Sequence, residues 1–263
     1  MAINTCLGVG DKAYDVSNIY IGVNDVARKV TKAYIGVDNV AKLIYYNDFD
    51  PVFANNTWEQ IIYTCQANRV PDTWKVGDSK TMTINGASYQ IDIIGKNHDT
   101  YADGSGTAPL TFQLHDLLPT LYQFDIKDTQ NNEWTNCAMR KTHLPAIMAL
   151  MPSEVQNGLK EVNKITYTGA FSYTSNTADK LFLLSETEVF ANRTYSPGVE
   201  GKRYAYYVNN SAVKKLRGGS NNEWWLRSPE RENGIGYCYV TVDNDSAYDY
   251  PTSKNGVSFA FCF

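Results

Sequence analysis

Histidine is scarce in this chain, and cysteine never appears in pairs. Only three histidines occur among 263 residues, His98, His115 and His143, and no His/Cys spacing supports a zinc site. The five cysteines, Cys6, Cys65, Cys137, Cys238 and Cys262, are scattered and never form C-x-x-C. Buried free thiols in a protein matured in a reducing cytoplasm are therefore expected, rather than a disulfide framework. The nucleophile-elbow pattern G-x-S-x-G is absent. No segment approaches the roughly 18 apolar residues of a membrane span. The start, Met1-Ala2-Ile3-Asn4-Thr5-Cys6, has no basic n-region, so no signal peptide is expected. Charge of one sign is missing too: the net charge is -4 without a basic run, which argues against nucleic acid as a partner.

What the chain does have is tyrosine. Nineteen of them point to β-structure, to an interface, or to both. Within the first fifty residues, Tyr20-Ile21-Gly22-Val23-Asn24-Asp25-Val26-Ala27-Arg28-Lys29 recurs as Tyr34-Ile35-Gly36-Val37-Asp38-Asn39-Val40-Ala41-Lys42-Leu43. Each copy reads as a β-hairpin with an Asn/Asp turn, because these residues tolerate positive φ. Two such hairpins bury too little to stand alone. They are expected to dock on the following domain, on sister copies in an oligomer or on a larger assembly: an attachment or oligomerisation element spanning residues 1–50, with a small sheet merely capping the main domain as the alternative. The repeat resembles segments of tail-associated bacteriophage proteins. Asp48-Phe49-Asp50-Pro51 marks the junction to a second domain, 51–263.

There, Thr57-Trp58-Glu59-Gln60 fits a capping box opening a helix to about Asn68. Trp58, Ile61, Ile62 and Cys65 share its inward face. Asn85-Gly86 between two apolar-alternating runs is the strongest hairpin signal in the chain. Thr111 to Phe124 reads as a strand start followed by a short helix. Trp134 to Val162 reads as helical segments broken at Pro145 and Pro152, and Leu181-Phe182-Leu183-Leu184 as a buried strand. The pattern predicts an α+β fold whose sheet is assembled from both ends of the domain.

Residues able to carry chemistry are few. His98-Asp99 and His115-Asp116 mimic a base with its orienting carboxylate, but a triad is defined by geometry that spacing does not supply. His143, beside Leu144-Pro145, reads as structural. Asp243-Asn244-Asp245, with Asp249 close by, offers oxygen ligands of the kind calcium takes, yet lacks the EF-hand pattern and reads as a turn. Gly8-Val9-Gly10 and Gly104-Ser105-Gly106 lack the context of phosphate loops. No catalytic residue, metal or cofactor is expected.

The stretch from Arg217 to Phe263 differs in kind. Arg217-Gly218-Gly219-Ser220, Trp224-Trp225-Leu226-Arg227-Ser228-Pro229 and Gly256-Val257-Ser258-Phe259-Ala260-Phe261 frame a segment, Glu230 to Asn255, rich in Asn, Asp, Ser and Tyr. That mixture is the one antibody paratopes use. The ligand-binding residues expected are Glu230, Arg231, Asn233, Tyr237, Tyr239, Asn244, Ser246, Tyr248, Asp249, Tyr250 and Ser253. Along Tyr237-Cys238-Tyr239-Val240-Thr241-Val242, alternation puts Cys238, Val240 and Val242 on one face and the tyrosines on the other.

These framing motifs resemble C-type-lectin-fold proteins of the formylglycine-generating-enzyme-like branch. Gly95-Lys96-Asn97-His98-Asp99, Thr111-Phe112-Gln113-Leu114, Met139-Arg140 and Leu183-Leu184-Ser185-Glu186 belong to the same likeness, which covers about residues 55 to 263. The resemblance implies a C-type-lectin-like domain whose C-terminal strands and loops form the ligand surface. It also implies kinship with phage receptor-binding proteins and with variable proteins diversified by retroelements. The oxidase chemistry of that branch is not implied, since Cys238 and Cys262 lie in apolar strands. The expectation is a virion protein of the tail tip, assembled in the host cytoplasm. It would bind a host-surface protein or glycan, contact other tail proteins and form a homo-oligomer, a trimer among the options, with no nucleic acid and no membrane insertion. A bacterial surface adhesin and a ligand-free decoration protein are the alternatives.

Overall fold

A computed structural model describes residues 6–9, 12–15, 19–37, 39–46, 49–128, 133–168, 171–190, 192–209, 213–232 and 234–263. Gly10, Asp38, Asp48 and Asn233 lie outside these residues. The chain divides into two compact units, Met1–Trp74 and Lys75–Phe263.

The first unit opens with three hairpins: β1 (Cys6–Val9) with β2 (Lys12–Asp15), β3 (Ile19–Val23) with β4 (Val26–Val30), and β5 (Lys32–Val37) with β6 (Val40–Tyr46). The repeat is thus two consecutive hairpins. Asn24, Asp25 and Asn39 take φ of 51°, 60° and 60° in their turns, the left-handed region that Asn and Asp tolerate. Tyr46 begins a small core with Phe49, Tyr63 and Ala67.

Tyr63 and Ala67 come from α1 (Trp58–Gln66) and the residue that caps its end. The predicted capping box is present: the Thr57 hydroxyl accepts from Gln60 N at 3.2 Å, and Gln60 Oε1 accepts from Thr57 N at 2.7 Å. Trp58, Ile61, Ile62 and Cys65 are all buried. Thr57→Ala removes one side of the box and is expected to destabilise this unit by about 1 kcal/mol. The check is the urea midpoint of tryptophan fluorescence; an unchanged midpoint would mean that the cap is dispensable.

The second unit is built on a five-stranded antiparallel sheet, in which β7 (Ser79–Ile84) and β8 (Ala87–Lys96) form the Asn85-Gly86 hairpin. Asn85 and Gly86 have φ of 48° and 78°, the pair of positive values a type I′ turn requires. Next comes β9 (Leu110–Leu114), fully buried, and then β10 (Tyr122–Gln123). No helix forms between Leu114 and Tyr122. Leu117 N instead donates to Leu216 O at 2.9 Å and Leu118 N to Val257 O at 3.2 Å, so tertiary hydrogen bonds replace the helical ones.

A π-helical turn, Met139–His143, runs into α2 (Leu144–Met148). Pro145 does not break this segment; it occupies the first turn of α2, where its missing N–H is no loss. Pro152 precedes α3 (Ser153–Gly158). A long hairpin of β11 (Val162–Thr168) and β12 (Phe171–Asp179) follows, then β13 (Leu181–Phe182) and α4 (Glu186–Val189). Ser185 and Glu188 form a second capping box on α4. The chain continues through α5 (Ala205–Asn209), β14 (Leu216–Arg217) and β15 (Ser220–Asn221) to β16 (Trp224–Pro229), β17 (Tyr237–Val240) and β18 (Ser246–Asp249). The last three make a second antiparallel sheet. Finally β19 (Lys254–Asn255) pairs with β10, and β20 (Ala260–Cys262) enters the large sheet between β13 and β9.

The order β13-β20-β9-β8-β7 makes the domain α+β, with early and late strands side by side. Phe112 of β9 meets Phe261 and Phe263 at ring distances of 5.4 and 5.3 Å. Cys65, Cys137, Cys238 and Cys262 are all free and buried.

Candidate functional site

The framing motifs build scaffold. All six residues of β16 are buried. Trp224 Nε1 donates to Val213 O at 3.3 Å and Trp225 Nε1 to Tyr122 O at 2.8 Å, so both indoles fill apolar space and keep a partner for their N–H. Next to β16 lies β17, and outermost is β18. Gly236 makes this arrangement fit: a Cβ there would sit 2.9 Å from the Tyr248 ring and 3.1 Å from Asp249 O.

On this sheet the eleven expected ligand-binding residues separate. Glu230 and Tyr237 are wholly buried, and they do not reach the surface. Tyr237 stacks on Phe124 at 3.6 Å, because β17 is covered on both faces near its start. The tyrosine face predicted by alternation is therefore partly core. Val242, placed with the inward set, is exposed, since it lies beyond the end of β17. Ser246 is half-buried and donates to Glu186 Oε1 at 2.5 Å. Asn244 turns the chain at φ 68°, with its N–H donating to Thr241 O at 3.1 Å. Asp249 Oδ1 accepts from Tyr250 N at 2.7 Å and from Ser253 Oγ at 2.9 Å, which orders the loop after β18.

Arg231, Tyr248 and Tyr250 stand out to solvent, with Tyr248 40% and Tyr250 57% exposed. Tyr239 is half-buried, its ring 6.2 Å from Trp225, and burial raises its phenol pKa. A residue that sequence reasoning missed joins them: Tyr195, whose ring lies 5.3 Å from Tyr248. Its backbone carbonyl accepts from Arg231 N at 3.0 Å. Far from the tail in sequence, Tyr195 carried no pattern to flag it. A hollow of about 50 Å³ opens between Gly236, Tyr248, Asp249 and Tyr250.

A second constellation lies inside the domain, centred on Arg227. Its Nη1 donates to Glu188 Oε2 at 2.5 Å and to Leu183 O at 2.9 Å. Its Nη2 donates to Glu188 Oε1 at 3.1 Å, Glu200 O at 2.8 Å and Ile165 O at 3.2 Å, and its Nε to Thr166 Oγ1 at 3.2 Å. Lys164 Nζ lies 2.5 Å from Asp99 Oδ1, 3.2 Å from Glu188 Oε1 and 2.9 Å from the Tyr204 hydroxyl. Burial acts to raise the pKa of Asp99 and of Glu188, but the adjoining cations hold both below the usual carboxylate range. Glu200 is different. Burial pushes its pKa up to about 7, because Arg227, Ser228 Oγ and Tyr167 N offset the desolvation only in part.

Asp99, Lys164, Glu188, Glu200 and Arg227, with His98 and Lys202, line a cavity of about 250 Å³. His98, Asp99 and Glu188 bring ligand atoms within 4.8 Å of one another, a spacing that suits a divalent cation. The Lys164 ammonium already fills the cationic position between the two carboxylates. Arg227 spends all three nitrogens, and Lys164 has three acceptors for its three N–H bonds. Such saturation describes a clasp joining β11, α4, β16 and the loop at Asp99. The inward phase of β11 holds Val162, Lys164, Thr166 and Thr168 while Ile165 is exposed, so no apolar alternation in the sequence marked Lys164 as buried.

His115 pairs with Asp92 rather than with Asp116: Nδ1 lies 2.6 Å from Asp92 Oδ2, and this bond is the main cause of its raised pKa. Asp116 Oδ1 instead accepts from Leu216 N at 2.9 Å. Ser79 donates to Asp92, so among the described residues the dyad lacks the hydroxyl that Ser-His-Asp chemistry activates. His98 stacks on Tyr204 at 3.8 Å, and half-buried His143 meets Tyr122 at 5.2 Å. Burial raises the thiol pKa of Cys137 to about 12 and that of Cys238 well above its ordinary value, which makes both inert.

Residues 110–263 match a family described as a domain of unknown function, DUF6273. The match starts at β9 and takes in the tyrosine-bearing sheet and the Arg227 clasp except for Asp99, which precedes it. No curated protein and no solved structure matches the chain.

Proposed function

We propose, for a chain that belongs to the DUF6273 family, a recognition role. The domain is a C-type-lectin-like scaffold in a phage virion, displayed at the tail tip, and it binds a protein or glycan of the host surface. The outward edge of the C-terminal sheet makes the contact, through Tyr248, Tyr250 and Arg231, with Tyr239, Asp249, Ser253 and Tyr195 at its margin.

The observation that carries this reading is the contrast between the two outer strands of this sheet. Every residue of β16 is buried, whereas β18 and the residue after it hold Tyr248 and Tyr250 in solvent. A rigid framework under exposed tyrosines suits binding, since Tyr gives large contact area at small entropic cost. The saturated Arg227 clasp supports the same side, as it leaves its charged groups no free valence for catalysis. The tail tip itself rests on the likeness of the hairpin repeat and the framing motifs to phage proteins.

Tyr248→Ala with Tyr250→Ala is expected to weaken adhesion to host cells at least tenfold, given roughly 2 kcal/mol for a central aromatic contact. Tyr250 is 57% and Tyr248 40% exposed, so the melting temperature should fall by no more than about 3 °C. Cell binding by labelled protein and a thermal melt check the two halves. Undiminished adhesion, or a collapse of stability, would refute the assignment of these tyrosines to the surface.

A further inference from the structure

The tandem hairpins carry a surface that their own chain leaves bare. Directly paired residues of an antiparallel ladder share a face. In β3–β4, Ile19 pairs with Val30, Ile21 with Arg28 and Val23 with Val26, so five aliphatic residues line one face. In β5–β6, Ile35 pairs with Lys42 and Val37 with Val40, which repeats the pattern. Ile21, Val26, Ile35 and Val40 are 53%, 56%, 49% and 58% exposed. Tyr20 and Tyr34, on the opposite faces, are 60% and 47% exposed. Among the described residues, no other part of the chain gathers so many exposed large apolar residues.

From this arrangement we infer that the hairpin faces are the contact between copies of this chain, packed face to face. Three observations select a second copy as the occupant. The patches come in two near-identical versions, so a hairpin of one copy can meet its counterpart on the other with like chemistry on both sides, the condition for a closed symmetric assembly. Both hairpins belong to the same unit, and although Tyr45 and Tyr46 at the end of β6 are buried, Ile21, Val26, Ile35 and Val40 on the two faces stay about half exposed. The exposed apolar side chains offer on the order of 500 Å² per chain, a large part of the roughly 800 Å² each partner gives to a standard interface. The contact runs through faces rather than edges, because β4 carries Arg28 and Lys29, and charged edge strands resist lateral pairing. The aliphatic stem of Arg28 extends the apolar face while its guanidinium stays at the rim.

The test is the solution mass of the full chain by light scattering and sedimentation, at high micromolar concentration. It compares wild type, Ile21→Asp/Ile35→Asp, and the control Ile126→Asp/Val199→Asp, whose sites are 69% and 64% exposed outside the hairpins. Wild type and control are expected to be oligomers and the hairpin variant a monomer, with the same melting temperature for all three. A monomeric wild type would give the hairpin faces to a different partner and overturn the inference. So would a hairpin variant that keeps the wild-type mass, or a control that also dissociates. Adhesion of the monomeric variant per binding site is expected to be unchanged, which separates this inference from the ligand-binding reading.

Discussion

Arg227→Met is expected to lower the melting temperature of the second unit by roughly 10 °C, from a loss of about 3–5 kcal/mol. The loss comes mainly from what is left behind. Glu188 is buried to within 2% of full coverage and would keep only Lys164 Nζ at 3.2 Å and Ser185 N at 2.9 Å. Leu183 and Glu200 would each lose a donor to a buried carbonyl, and every stranded acceptor costs about 1–3 kcal/mol. Domains of this size hold only about 5–15 kcal/mol, so the variant sits near the edge of folding. Arg227→Met combined with Glu188→Met should recover part of the loss, because exchanging both partners for apolar groups avoids the orphaned charge. Differential scanning calorimetry of the four corners of that cycle decides it. A single variant that melts within 2 °C of wild type would show that the guanidinium is not the hub of the clasp.

Glu200→Gln is expected to flatten the fall of stability between mildly acid and mildly basic pH. The folded pKa of Glu200 is raised from 4.5 to about 7, so the folded state holds a proton that the unfolded chain has released. Its contribution is fully present below about pH 4.5 and is lost as pH rises through about 7. The gap corresponds to roughly 3 kcal/mol. Asp99, Glu186 and Glu188 have lowered pKa values. Their contributions are present above the unfolded value and lost as pH falls through the folded one, so wild type should be most stable near pH 5. Gln keeps the acceptor for Tyr167 N and stays neutral, so urea midpoints at pH 5 and pH 8 should nearly coincide in the variant. Only a small slope will persist, because the raised pKa of His115 acts in the same direction, its half-exposed ring screens the effect, and the lowered pKa values of His98 and His143 act in the opposite one. A wild-type midpoint that does not fall between these pH values would contradict a buried, proton-holding Glu200.

Local chemistry made much of the architecture legible. The capping box before α1, the inward stripe of Trp58, Ile61, Ile62 and Cys65, and the Asn85-Gly86 hairpin each depend on residues within a few positions of one another. The short helix after β9 did not form because Leu117 and Leu118 spend their backbone donors on Leu216 and Val257, partners far along the chain. The site shows the same division. Tyr248 and Tyr250 were legible as exposed aromatics at a turn, whereas the burial of Glu230 and Tyr237 depends on what covers both faces of β17. Tyr195 and Lys164 become neighbours of the site and of the clasp only through tertiary pairing. In β11 the aliphatic residues fall in both phases, Val162 buried and Ile165 exposed, so the sequence did not show that Lys164 turns inward to meet an anion.

The position of β20 sets a kinetic course for the domain. It pairs Ala260 with Gln113 on one side and with Phe182 on the other, so the middle of the large sheet joins segments separated by more than half of the chain. Hairpins such as β7–β8 and β11–β12 close short loops and form early. The central seam has to wait for a long loop closure, which slows folding as non-local pairing always does. During that interval the fully buried strand β9 offers an unpaired edge of Leu110, Thr111, Phe112, Gln113 and Leu114, and an exposed apolar edge of this kind recruits other unfinished chains. The yield of soluble protein should therefore depend on temperature and synthesis rate more steeply than its final stability does.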